Sequence, residues 1–216
     1  MDVRVEPDAD AAAVTAAALI GRRLREAVRR RGVASVAFSG GATPIPMLAD
    51  LAAQDLPWAS ITALQVDERV APDGHVDRNI GLLDVLPLRP RQVLAMPVTA
   101  ARLDDAARRY ARLLPDSIDV VHLGIGDDGH TASWPPGDDV VESDLLVDVC
   151  GTFNGRVRMT LTPRSVNAAR ARIALVVGAS KAPAVRGWLD RDSNLPVVHV
   201  RRTGTIVVLD RAAAGG

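Results

Sequence analysis

Apolar residues fall into two rhythms along this chain. Runs at 33–38 (VASVAF), 61–66 (ITALQV), 118–123 (IDVVHL), 172–177 (RIALVV) and 205–209 (TIVVL) are rich in β-branched residues. Several are too continuous for one-sided burial and predict strands covered on both faces. Between the runs, apolar positions recur at helical spacing over 10–31, 44–53, 102–114 and 179–190. In the first of these, Val14, Ala17, Gly21, Leu24 and Val28 form a stripe, and six arginines between Arg22 and Arg31 fall mostly on other faces. Residues 1–32 read as one strand and one helix. Strands alternating with helices predict an α/β fold with a mostly parallel sheet between helical layers. No repeat or linker interrupts it, so residues 1–212 read as one domain, with a frayed tail at 213–216.

Composition narrows the function classes. Lys and Arg total 26 against 26 Asp and Glu, which argues against nucleic-acid binding by bulk charge and against a polybasic membrane surface. A single cysteine, Cys150, leaves no disulfide framework and no cysteine zinc cluster, and no His-x-x-x-His pair supports another zinc site. We expect no metal and no cofactor. The acidic N-terminus lacks a signal-peptide pattern, and no apolar run nears 18 residues, so the expected location is cytoplasmic. A homo-oligomer is compatible with the sequence. Of the 26 basic residues 25 are arginine, and the lone lysine is Lys181; likewise only 4 of the 26 acids are glutamate. A compact ammonium held against an anion is harder to replace by a planar fork than a solvated lysine is, so Lys181 is a candidate site residue.

Ligands of such folds bind beyond the carboxyl ends of the strands, so the loops there carry the chemistry. After the first run comes Ser39-Gly40-Gly41-Ala42-Thr43-Pro44. Its glycines permit close backbone approach, Thr43 suits a helix cap and Pro44 the first helical position, together an anion-binding arrangement. An ordinary tight turn is the alternative. After the second run come Asp67-Glu68-Arg69 and then Asp77-Arg78-Asn79, either the rim of a site or solvated charge. The 118–123 run leads into Gly124-Ile125-Gly126-Asp127-Asp128-Gly129-His130-Thr131-Ala132-Ser133, which satisfies G-x-G-x-x-G. A dinucleotide is nonetheless rejected, because two aspartates occupy the pyrophosphate position and Pro135-Pro136 breaks the following helix. The loop instead offers a histidine able to take a proton from water, with Asp128 two residues away to fix its tautomer. His122 and His199 read as strand histidines satisfied where they stand.

These loops, with Arg158-Met159-Thr160-Leu161-Thr162 and Gly178-Ala179-Ser180-Lys181-Ala182, resemble the ordered motifs of the 6-phosphogluconolactonases over about residues 38 to 183. The resemblance implies a mostly parallel, Rossmann-like three-layer α/β/α sandwich (NagB/RpiA/CoA transferase-like). It also implies hydrolysis of 6-phospho-D-glucono-1,5-lactone. Carried over residue by residue, it makes His130 the base, Asp128 its orienting carboxylate, and Lys181 the phosphate-site lysine. Ser39, the amides of Gly40 and Gly41, Thr43 and Arg158 would join Lys181 around the phosphoryl group. Arg69 would join them or hold a sugar hydroxyl, with Asp67 and Asn79 nearby. The related glucosamine-6-phosphate deaminases carry a carboxylate five positions after the loop histidine, where this chain has Pro135. They read Asp-Glu-Tyr rather than Asp-Glu-Arg at 67–69. Arg78, Ala42 and Trp134-Pro135 depart from the lactonase pattern and bear on sugar contacts. A non-catalytic sugar-phosphate sensor is the reading from another class, disfavoured because residues 1–32 show no helix-turn-helix.

Overall fold

The computed structural model describes residues 1–216. Seven strands form the main sheet: β1 (Asp2–Glu6), β2 (Ala34–Phe38), β3 (Ile61–Gln65), β5 (Val93–Leu94), β6 (Val120–Leu123), β9 (Ala171–Val176) and β10 (Thr205–Asp210). Their order is β1-β10-β9-β6-β2-β3-β5, and every pairing is parallel. β4 (Asp67–Arg69), β7 (Val147–Phe153) and β8 (Arg156–Leu161) form a separate three-stranded antiparallel sheet in the order β4-β8-β7. The five strands expected from the apolar runs are all present, as is the one expected within residues 1–32. β5 and the antiparallel sheet were not foreseen.

Helices α1 (Ala9–Arg31), α2 (Pro44–Ala52), α3 (Leu103–Ala111), α4 (Pro163–Ala168), α5 (Ala182–Asp190) and α6 (Arg211–Ala214) complete the chain. Alternation along the central strands explains their unbroken apolar runs. Val36 and Phe38 on β2 enter the core beneath α1 and α2, whereas Ala37 enters the opposite core with α3, α5 and the antiparallel hairpin. The result is three layers around one sheet, the α/β class expected.

α1 begins where the Asp8 side chain accepts from the Ala11 amide at 2.8 Å and stops at Gly32, whose φ of 78° suits a residue without Cβ. Its buried stripe runs through Ala13, Ala16, Ala17, Ile20, Leu24 and Ala27; Val14, expected in the stripe, is exposed. Helix 179–190 divides into a 3-10 turn at Ala179–Lys181 followed by α5. The tail is also corrected. Asp210 accepts from the Ala213 amide at 2.7 Å, which starts α6, and Ala213 is fully buried. His199 lies in a 3-10 turn, Pro196–His199, rather than a strand.

The chain runs outward from β2 to β3 and β5, then returns to place β6 on the other side of β2 before continuing to β9 and β10. The β2/β6 boundary is therefore the switch point, where loops after adjacent strands diverge and leave a crevice.

Candidate active site

A cleft of about 250 Å³ opens at that switch point. It is lined from the loops after β2, β3, β6 and β9 and by β8, and every nominated site residue except Asp128 faces it.

The loop after β2 owes its shape to its glycines. A Cβ on Gly40 would lie 1.9 Å from the Asn79 Oδ1, so that glycine admits Asn79, and Gly41 has a φ of 96°. Thr43 does not cap α2 with its side chain, contrary to expectation, which leaves its hydroxyl unengaged by the helix; Pro44 takes the first helical position as read. α2 itself offers no free amide in its first turn, because Pro44 and Pro46 lack an N–H and the Ile45 amide donates to the Ala42 carbonyl at 3.1 Å; the free donors facing the cleft are the amides of Gly40 and Gly41 in the loop before it.

The β3 exit is organised by a residue the sequence reading passed over. Glu68 is fully buried and accepts hydrogen bonds from the amides of Arg69, Asn79 and Ile80 and from Gln65 Nε2, at 2.7–3.0 Å. The buried Arg78 guanidinium lies 3.0 Å away. Glu68 therefore ties residues 65–80 into one unit and aims its neighbours. Asp67 receives a 2.6 Å hydrogen bond from Ser133 Oγ and lies 3.9 Å from Arg158. Desolvation pushes the Asp67 carboxyl above the usual carboxylate range, although Ser133, Arg69 and Arg158 draw it back. Asn79 Nδ2 donates to the Asp67 carbonyl, and Arg69 Nη1 donates to the Asp77 carbonyl at 2.6 Å.

The loop after β6 holds the histidine. The Gly126 amide donates to the His130 carbonyl at 2.8 Å, the Gly129 amide donates to the Gly126 carbonyl, and a Cβ on Gly126 would strike the imidazole 2.0 Å from Nδ1. The glycine therefore makes room for the ring. His130 Nδ1 lies 2.6 Å from Asp128 Oδ1, which also accepts from the His130 amide at 3.1 Å. A proton on Nδ1 shared with that carboxylate leaves Nε2 as the free base. Burial raises the Asp128 pKa, but the hydrogen bonds from the His130 ring and amide outweigh it and hold the carboxyl below its usual value. Asp128 thus touches the ring and not the cleft. The Phe153 ring meets His130 edge-on at 5.0 Å and lies 5.1 Å beneath the Arg158 guanidinium, linking the two functional groups.

Cations face the base. Arg158 is buried, and desolvation, followed by repulsion from Arg69, holds it below the usual arginine value. Two guanidiniums repelling each other at one cleft favour a bound anion between them. Lys181 carries a partner the sequence did not suggest: Asp127 Oδ1 lies 2.5 Å from its Nζ and accepts from Ser180 Oγ at 3.1 Å. That hydrogen bond from Lys181 holds Asp127 below the usual carboxylate range. Trp134 is buried with its Nε1 donating to the Leu161 carbonyl at 2.7 Å, so this departure from the lactonase pattern is a core residue. No group of three or more His, Cys, Asp or Glu side chains is arranged to hold a metal ion.

Signals for the overlooked residues were present. Glu68 is one of only four glutamates, and Phe153 one of two phenylalanines. Asn154-Gly155, with φ of 50° and 77°, is a two-residue hairpin turn whose sequence signature predicts β7 and β8.

Comparison with known proteins agrees with this site. Residues 7–208 match the family described as glucosamine-6-phosphate isomerases/6-phosphogluconolactonase. A 6-phosphogluconolactonase from Nostoc sp. is 35% identical over 232 residues, covering 99% of this chain and 96% of the relative. Among solved structures, a 6-phosphogluconolactonase from Shewanella baltica superposes with a TM-score of 0.87 at 24% identity, covering 97% of each chain. A monomeric glucosamine-6-phosphate deaminase superposes with a TM-score of 0.85 at 22% identity, covering 100% of this chain and 99% of the other. Both likenesses establish the fold and do not distinguish the two chemistries. Together the match over residues 7–208 and the Nostoc relative place the chain in the glucosamine-6-phosphate isomerase/6-phosphogluconolactonase family.

Proposed function

We propose that this protein hydrolyses 6-phospho-D-glucono-1,5-lactone to 6-phospho-D-gluconate, the lactonase step of the oxidative pentose phosphate pathway, in the cytoplasm. The observation that carries the reading is a histidine whose Nδ1 is held by Asp128 at 2.6 Å, opening on the same cleft as Arg158 and Lys181. The substrate has the matching polarity, a phosphoryl dianion at one end and a cyclic ester at the other. Its partner is thus a small sugar-phosphate lactone, with neither nucleic acid nor membrane involved.

Ser39, the amides of Gly40 and Gly41, Thr43, Arg158 and Lys181 hold the phosphoryl group, the lysine exchanging Asp127 for substrate oxygen. His130 Nε2 takes a proton from water as the water oxygen attacks the lactone carbonyl. Asp128 stabilises the imidazolium, which then gives its proton to the departing ring oxygen. Arg69 faces the developing oxyanion or a hydroxyl, and Asp67, aligned by Ser133 and Asn79, accepts from a sugar hydroxyl. The step uses neither metal nor cofactor, because an oriented imidazole contributes about 10²–10⁴-fold and the ester is already activated. Deamination is disfavoured by Pro135, which offers no carboxylate beyond His130.

The test is acid release from freshly prepared lactone, corrected for spontaneous hydrolysis, with His130→Ala alongside. We expect turnover by the parent and a kcat lower by about 10²–10⁴ in the variant with KM little changed. Equal turnover by both proteins, or ammonia release from glucosamine 6-phosphate, would overturn the assignment.

A further inference from the structure

The floor of the cleft contains two buried polar side chains that find no partner in the protein. His122, on β6, is 1% exposed, and neither ring nitrogen makes a hydrogen bond. Ser39, at the end of β2, is 7% exposed and its buried Oγ is likewise unpaired. The Ser39 amide donates to the His122 carbonyl at 3.3 Å, so the two residues are neighbours across the strand ends, and both line the cleft. His122 is thus buried as its sequence suggested, but it is not satisfied in place.

A partnerless buried polar group costs about 1–3 kcal/mol, and nothing in the packing requires one here. The Phe38 ring lies 6.2 Å from its ring, and Leu175 and Val177 also line the cleft. A leucine or phenylalanine would fill the space without the penalty. Burial drives the His122 pKa down to about 3, so the ring is neutral and presents one N–H donor and one acceptor nitrogen. The same cleft is lined by Gly40 and Gly41, whose amides donate to no group of the protein, and by Thr43, whose side chain does not cap α2. Unpaired loop amides beside unpaired buried side chains describe a site whose complement is an oxygen-rich anion.

We propose that His122 is a phosphoryl-binding residue: its imidazole N–H and the Ser39 hydroxyl donate to the phosphoryl oxygen that points deepest into the cleft. This rests on the lactonase reading only for the identity of the sugar. Lys181 and Arg158 supply the charge, whereas His122 and Ser39 supply neutral donors that fix the position of the group. A carboxylate or an unphosphorylated sugar that fails to reach the floor leaves both donors unpaired, and phosphorylated ligands are thereby selected.

The experiment compares the parent with His122→Phe and His122→Gln. Calorimetry gives affinities for inorganic phosphate and 6-phosphogluconate, and kinetics gives kcat and KM for the phosphorylated lactone and for glucono-1,5-lactone. His122→Phe is expected to bind inorganic phosphate about tenfold more weakly, raise KM for the phosphorylated lactone by a similar factor, and leave kcat within about twofold. The unphosphorylated lactone should be unaffected, and melting should occur no lower than in the parent. His122→Gln, retaining a neutral donor, should recover part of the affinity. Unchanged phosphate affinity in His122→Phe overturns the proposal, as does equal loss in both variants, which would leave only ring shape to matter. Phosphate binding is read without turnover. A parent that binds phosphate yet fails to hydrolyse the lactone would remove the lactonase reading and leave the floor site standing.

Discussion

At the scale of single residues, the site is a set of side chains each held by one identifiable partner. Asp128 acts through His130, and its side chain is 40% exposed, so water can enter if it is shortened. Asp128→Ala should therefore lower kcat by about tenfold with KM nearly constant. Asp128→Asn should be worse, because its amide can donate to Nδ1 and force the proton onto Nε2, the wrong tautomer for a base. Steady-state kinetics of the pair checks this, and an Asn variant as active as the parent would remove Asp128 from tautomer control. On the cationic side, Lys181→Ala should chiefly raise KM. Asp127→Asn should lower it by about threefold, since the carboxylate that competes with substrate for Lys181 is gone and exposed ion pairs are weak. Lys181 was legible because it stands alone among 25 arginines; its partner was not, since nothing in Asp127-Asp128 says which aspartate turns toward which cation.

At the scale of elements, the central strands could be read because burial on both faces leaves few polar interruptions, Gln65, Asp119, His122 and Arg172 among them. β7 and β8 mix polar with apolar residues, and in RVRMTL the two alternate at period 2, the polar Arg158 and Thr160 being buried with the apolar Met159 and Leu161. Continuous apolar runs do not reveal them; the Asn154-Gly155 turn between them does. The omission mattered, because this hairpin carries Arg158 and Phe153. The segment from Gln65 to Ile80 is a further unit that pattern alone did not disclose. Arg78, a departure from the lactonase motif, is explained as the buried counter-charge of Glu68. Glu68→Gln would turn an amide donor toward a ring of N–H donors and leave Arg78 without its closest partner. We expect a loss of about 3 kcal/mol, or roughly 8 °C in Tm, with Asp67, Arg69 and Asn79 loosened together. Thermal denaturation and KM measured on the same preparation would show both, and an unchanged Tm would dispose of the hub.

At the scale of the whole molecule, a site at the β2/β6 switch point places its floor inside the sheet, and the fold's stability then depends on what is buried there. His122 has a folded pKa of about 3 against about 6.5 for an unfolded histidine. Between those values the unfolded chain binds the proton and the native protein does not. Stability contributed by the neutral ring is therefore fully present above pH 6.5 and is lost progressively as pH falls toward 3, by about 1 kcal/mol per pH unit. Paired carboxylates such as Asp128, whose folded pKa is depressed, lose stability on the acid side as well, so the total slope belongs to several groups. The difference between parent and His122→Phe isolates the ring. Denaturant unfolding from pH 7 to pH 4 should show the variant losing less stability than the parent, with the two curves diverging only below about pH 6.5. Parallel curves would mean that the imidazole is not kept neutral by burial. They would also place solvent against the ring, where a bound phosphoryl group would gain little from it.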